Sequence, residues 1–129
     1  MRLLEPTLGI ALREAVSRSD GGFPSMLVDV LESHDELVVK ANVPGTTKEQ
    51  LEIHYEKDIL TLKAEIPAEN APEQGKFLLR ERTNGSVSRT FRLPFAIDAE
   101  RAVAEYQNGV LILTLPKLES AKPRQIEIH

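Results

Sequence analysis

The sequence predicts an all-β fold, a sandwich or barrel of short antiparallel strands carried between a helical arm and an extended tail. Three observations predict it. Apolar and polar residues alternate with a period of two through residues 26–116, as half-buried antiparallel strands do. Turn-forming residues break that alternation at short intervals. No run of helical periodicity interrupts it, which leaves a sandwich or barrel as the architecture. The chain has 129 residues, 41% hydrophobic and 28% charged, which suits one globular domain with short extensions.

The elements follow in order. Leu4, Leu8, Leu12 and Ala15 recur at helical spacing, with Ala11 and Val16 beside them and Pro6 suited to a first turn. SRSDGG at residues 17–22 then ends the helix. Val28 and Val30 share one strand face. Leu37, Val39, Ala41 and Val43 share the next, followed by Leu51, Ile53 and Tyr55, then Leu60, Leu62, Ala64 and Ile66. The turns between them are SHDE, PGTT and EKD. Val87, Phe91 and Leu93 mark another strand between Asn84-Gly85 and Pro94. Residues 103–106 and 110–115 flank Asn108-Gly109, a dipeptide that favours a tight hairpin because both residues accept positive φ. These boundaries give an arm at 1–23, a β domain at 24–118 and a C-terminal extension at 119–129.

Two segments carry more apolar residues than their neighbourhood explains. Residues 66–82 hold two prolines and few strand signals, yet include Phe77, Leu78 and Leu79. A loop this long is uncommon in a compact domain, and its apolar trio needs cover, from its own sandwich or from a second subunit. The reading favoured here is the second subunit. The tail ends in QIEIH, so Ile126 and Ile128 point the same way on an extended chain. Residues 117–125 are mostly polar and span at most roughly 30 Å, enough to reach a neighbouring subunit.

Charge and motif content exclude several function classes. A net charge of −4 gives no basic face for nucleic acid. Arg80, Arg82, Arg89 and Arg92 interleave with Glu81 and read as ion-pairing groups within the fold. No apolar run reaches the ~18 residues of a membrane span, and Glu5 and Pro6 spoil any secretory signal. The chain contains no cysteine, and His34, His54 and His129 are not at ligand spacing, so no metal or other cofactor is expected. Phosphate-binding loops, dinucleotide fingerprints and nucleophile elbows are missing, so the chain is read as no enzyme and no catalytic residue is assigned. A cytoplasmic location is the default. Arg89 shares strand parity with Val87, Phe91 and Leu93. A guanidinium on an inward row must find a carboxylate or backbone carbonyl, and Arg89 is expected to do so near a dimer contact.

Taken together, these motifs resemble the α-crystallin domain of small heat-shock proteins, of the bacterial type. ANVPGTTKEQLEIHYEKDILTLKAE is similar to the front half of that domain. Glu81, Arg82, Gly85, Val87, Arg89, Phe91, Leu93 and Pro94 follow its Glu-Arg-x-x-Gly signature, with Val87 where the family usually has Phe. Ala104, Asn108, Gly109, Val110, Leu111, Leu113, Leu115, Pro116 and Lys117 follow its Asn-Gly-Val-Leu signature. Ile126-Glu127-Ile128 matches its terminal isoleucine-x-isoleucine anchor. The resemblance covers about residues 24–128.

The resemblance implies an immunoglobulin-like β-sandwich and an ATP-independent holdase that keeps unfolding client proteins from aggregating under stress. It implies a homodimer formed by strand exchange, in which Lys76, Phe77, Leu78 and Leu79 pair with Leu27, Val28, Asp29, Val30 and Leu31 of a partner. It implies a larger homo-oligomer in which Ile126 and Ile128 enter a groove formed by Leu51, Ile53, Tyr55, Ala102, Ala104 and Tyr106. Client binding falls to the arm, through Leu4, Leu8, Leu12 and Phe23. That arm is shorter than is usual in the family, and Phe23 is its only aromatic residue. The alternative is a non-chaperone binding or adaptor module on the same fold. That class lacks the isoleucine anchor and the strand-bearing loop.

Overall fold

The computed structural model describes residues 26–82, 84–122 and 126–128. The expected arm, with its helix and with Leu4, Leu8, Leu12 and Phe23, lies outside the described residues. Each alternating run of the sequence forms a strand: β1 (Val28–Glu32), β2 (Glu36–Asn42), β3 (Leu51–Glu56), β4 (Ile59–Ile66), β5 (Gly85–Arg92), β6 (Val103–Gln107) and β7 (Val110–Pro116). All pairings are antiparallel. They build a four-stranded sheet in the order β1-β2-β7-β6 and a three-stranded sheet in the order β3-β4-β5.

The register turns alternation into a core. In the larger sheet, Val39 lies opposite Val30 on one side and Leu113 on the other, and Leu113 opposes Ala104. In the smaller sheet, Leu62 lies opposite Ile53 and Arg89, and Leu60 opposite Tyr55 and Phe91. These inward rows interlock, and Met26, Leu37, Leu60, Leu62, Phe91 and Leu113 are fully buried between the sheets. A one-residue slip of any strand would send its inward row to solvent, so the core itself fixes the register.

Two hairpins close with two-residue turns. Asn108 and Gly109 have φ of 54° and 79°, the geometry expected from the sequence. A side chain at 109 would also meet the Cα of Pro44 at 3.3 Å. The β3–β4 turn uses Lys57 and Asp58 at φ 52° and 65°, although lysine gains nothing from a left-handed backbone. The sheet register on both sides holds this turn in place. Single 3₁₀ turns at Lys48–Gln50 and Ala99–Arg101 enter β3 and β6. The sequence reading contained no helix in this region, since three residues are too few to show a period.

Among the described residues, the buried polar groups are Thr46, Arg89 and Lys117. Arg89, 8% exposed, points inward from β5 and donates from Nη1 to the Met26 carbonyl at 2.7 Å. The guanidinium carbon lies 5.3 Å from the centre of the Phe91 ring. It thereby ties the smaller sheet to the residue that leads into β1. Lys117, 3% exposed, places Nζ 2.9 Å from the Glu32 carboxylate and 4.4 Å from the centre of the Phe95 ring.

Phe91 is the largest of the fully buried side chains. Phe91→Ala is expected to cost about 3–5 kcal/mol of stability through lost burial and a residual cavity. Denaturant unfolding should show a lower midpoint at an unchanged slope; a midpoint equal to that of the parent would contradict the packing described.

Candidate functional site

The candidate surfaces lie where the sandwich stops. β3 and β6 are the rim strands of their respective sheets. Tyr55, on β3, accepts the Ile97 N–H at its hydroxyl (3.0 Å) and donates to Asp58 Oδ1 (3.0 Å). Ile97 belongs to the connection that enters β6. Tyr106, on β6, lies 2.9 Å from the Val43 carbonyl and 3.0 Å from the Thr46 carbonyl. Thr46 belongs to the connection that enters β3, and its own hydroxyl reaches Val43 O at 2.9 Å and Tyr106 Oη at 3.2 Å. Each hydroxyl carries one hydrogen, so the pair divides the two carbonyls between them. Each tyrosine thus stitches its strand to the other strand's incoming connection. That sets β3 and β6 on the same side of the sandwich, running in opposite directions.

Between the two stitches lies the candidate groove. Leu51, Ile53 and Tyr55 face inward opposite Ala64, Leu62 and Leu60, while Ala104 and Tyr106 face inward opposite Leu113 and Leu111. Among the described residues no further strand covers this side, and Leu51, Tyr55 and Tyr106 are half-buried and Ile53 and Ala104 exposed. Ala102 sits at the groove's entrance, ending the 3₁₀ turn before β6. The six residues expected to form a groove thus lie on these two rim strands and at the entry to β6. From Leu51 to Tyr55 the groove is about 13 Å long. Ile126 and Ile128, 86% and 97% exposed, would set two side chains about 7 Å apart if extended.

Of the expected dimer residues, Leu27 to Leu31 lie along a second rim. β1 pairs only with β2 among the described residues, which leaves its outer edge open. Val28 and Val30 face the core, whereas Asp29 and Leu31 face out; Leu27 and Leu31 are exposed. Residues 76–79 form no strand in the single chain, and Phe77, Leu78 and Leu79 are exposed, Leu78 by 89%. The loop carrying them is braced internally: the Glu69 carbonyl and carboxylate accept from Arg80 and Arg82 at 2.5 and 2.9 Å, and Arg80 stacks 4.2 Å from the centre of the Phe77 ring. Phe77 and Leu79 line a cavity of about 450 Å³ with Val43, Pro44 and Val87. Arg89 is not in the loop, but its bond to Met26 holds the chain one residue before Leu27.

The model of the Hsp20/alpha crystallin family matches residues 29–129. The chain belongs to this family. Among curated small heat shock proteins, it is 38% identical over 100 residues to Heat shock protein 16 of Schizosaccharomyces pombe, covering 76% of this chain and 70% of that one. It is 35% identical over 127 residues to the 18 kDa antigen of Mycobacterium leprae, covering 98% and 78%. Its fold superimposes on heat shock protein 16.0 of S. pombe with a TM-score of 0.70 at 37% identity, over 84% of this chain and all (100%) of that one. A small heat-shock protein of Xylella fastidiosa, described as having a distinct high order structure, gives 0.65 at 33% identity, over 81% and 95%. The α-crystallin sandwich expected from the motifs is the fold observed, and the family is one of stress chaperones rather than enzymes.

Two buried polar features of this α-crystallin domain were not expected from the sequence, the Lys117–Glu32 pair and Thr46. A signal was available, because Lys117 continues the inward parity of Leu111, Leu113 and Leu115. Thr46 gave no comparable signal, since it lies in a turn and its partner Tyr106 stands 60 residues away in the chain.

Burial pushes the Tyr55 phenol above its ordinary range, and the neighbouring Asp58 carboxylate adds to the effect. A raised folded value means that the neutral phenol stabilises the fold below about pH 10, and that this contribution is lost as pH rises through the folded value. Tyr55→Phe should lower stability slightly at neutral pH, by about 1 kcal/mol for the lost hydrogen bonds. It should also flatten the fall in stability above about pH 10. Thermal unfolding across that range checks it; identical alkaline profiles for parent and variant would refute the role assigned to this phenol.

Proposed function

We propose that the protein is an ATP-independent holdase, acting in the cytoplasm, that binds unfolding proteins and keeps them from aggregating. The observation that carries this reading is the distribution of apolar surface. Leu27, Leu31, Phe77, Leu78, Leu79, Ile126 and Ile128 are exposed, and all lie on rims, on the loop or on the tail. Membership of a chaperone family supports the same reading. Apolar surface gathered in this way marks interaction sites, and no step of this activity calls on a cofactor.

The working unit proposed is a homodimer in which residues 76–79 pair with the open edge of β1 on the partner, at Leu27, Val28, Asp29, Val30 and Leu31. Strand addition satisfies the bare backbone edge and covers the loop's apolar trio. Arg89 supports it by fixing the start of β1. Dimers then join through Ile126 and Ile128, inserted into the β3/β6 groove of another subunit. Clients bind through the arm, at Leu4, Leu8, Leu12 and Phe23. The adaptor reading is disfavoured, because the exposed isoleucine pair and the strand-bearing loop are features it does not need.

Light scattering of a heat-aggregating client, with added protein and no nucleotide, should fall in proportion to the protein present. Unchanged aggregation at an excess of protein would reject the holdase. Ile126→Ala/Ile128→Ala should lower the mass in solution towards that of a dimer. An unchanged mass, for a parent larger than a dimer, would reject the anchor.

A further inference from the structure

The base of the tail is tied down at three places. The Lys117 N–H donates to the Asp35 carbonyl at 2.8 Å, and Ile97 pairs with Lys117 on its other side. The Leu118 N–H donates to the Ala96 carbonyl at 3.1 Å. After the turn Glu119–Ala121, Lys122 places Nζ 2.7 Å from Glu119 Oε2 and 3.6 Å from Asp35 Oδ1. Asp35 sits in the β1–β2 turn, where His34 Nδ1 lies 2.9 Å from the same oxygen. Lys122 is thus held on the β2 side of β7, whereas the groove opens on the β6 side.

This placement decides how far the isoleucines can reach. Leu118 is fastened beside Ile97, which itself bonds Tyr55 at one end of the groove. If the chain were free beyond Leu118, the eight residues to Ile126 would span about 27 Å. That is enough for the tail to lie along the ~13 Å groove of its own chain. With Lys122 held, only four residues remain to Ile126, about 14 Å, and they start on the side of β7 away from the groove.

We propose that the Asp35–Lys122–Glu119 cluster aims the tail away from its own groove, so that Ile126 and Ile128 enter the groove of a second copy of the chain. The proposal rests on the anchor reading above and adds the residues that choose between the two grooves. Lys122 and Asp35 act here as positioning residues.

The cluster stays charged across the neutral range. The His34 contact and Lys122 hold Asp35 below its ordinary value, Lys122 holds Glu119 below its own, and Glu119 holds Lys122 above. Arg101 also favours the charged form of Glu119, while Asp35 opposes it. The contribution of lowered carboxylates is present above their unfolded values and lost only as pH falls through the folded ones. Salt therefore loosens the cluster at neutral pH.

The test reads which chain receives the tail. The protein has no cysteine, so Glu105→Cys on β6 and Glu127→Cys on the tail can be joined by a short bis-maleimide. Link formation within one chain is then separated from links between chains on a denaturing gel. Linked chains should dominate in the parent. Adding Lys122→Gln or Asp35→Asn should raise the within-chain product by about two- to fivefold, the scale of exposed ion pairs, and salt should act in the same direction on the parent. An unchanged or lower within-chain share in both variants, with melting as in the parent, would overturn the proposal. Ile126→Ala/Ile128→Ala should abolish both products. If it does not, the anchor reading fails, and this inference fails with it.

Discussion

An open sandwich has to end, and a strand at its rim leaves a row of backbone donors and acceptors without partners on one side. That constraint organises this protein. The four-stranded sheet ends at β1 and β6, and the three-stranded sheet at β3 and β5. Inward rows continue to the rim, so among the described residues the side chains of β3 and β6 have a core on one side and no strand on the other. The same alternation that builds the core therefore builds the groove. Nothing beyond the core pattern is needed to make Leu51, Ile53, Ala104 and Tyr106 a half-open apolar site, only the absence of a further strand there.

The buried polar groups hold these open places in shape. Arg89 fastens the Met26 carbonyl one residue before Leu27, Lys117 fastens Glu32 at the end of β1, and Thr46 meets Tyr106 at one end of the groove. Two of the three brace the same edge strand at its two ends. Replacing such groups by apolar ones often leaves stability unchanged or improved. Their value here is positional: a rim strand that frays cannot accept a partner strand in register. Interior charge is thus spent on the edges that the packing alone would leave loose.

Most of the fold was legible because period-two alternation is the direct imprint of a half-buried strand. The seven runs, from Val28 and Val30 to Leu111, Leu113 and Leu115, become seven strands at nearly the expected bounds. Arg89 was legible for the same reason, by parity with Phe91. The groove residues came from resemblance rather than from spacing, since no local signal says which two strands lie at the rim on the same side. That is set by strand order, which the tyrosine stitches record only after folding. The Lys57-Asp58 turn was found as a turn, but not as left-handed backbone, because sheet register overrides local preference there. The Asp35–Lys122 contact joins residues 87 positions apart across a turn, and nothing in either segment names the other.

The balance of energies explains why so many separate devices are present. Burying two isoleucines gives about 3–6 kcal/mol gross, at about 1.5–3 each. Lost rigid-body freedom and ordering of the tether offset much of it. A single anchor of the proposed kind is therefore weak, and repetition across the proposed assembly is what would make it hold. Weak anchors have a rival that strong ones do not: capture by the groove of their own chain, which is always at high effective concentration. An assembly built on such anchors needs a bias against self-capture, and a surface ion cluster worth only a few-fold is enough, because it applies at every tail. Shortening the free tether does the same work by geometry. It leaves exchange between subunits open, since nothing in the cluster must break for a tail to leave the groove of a neighbour.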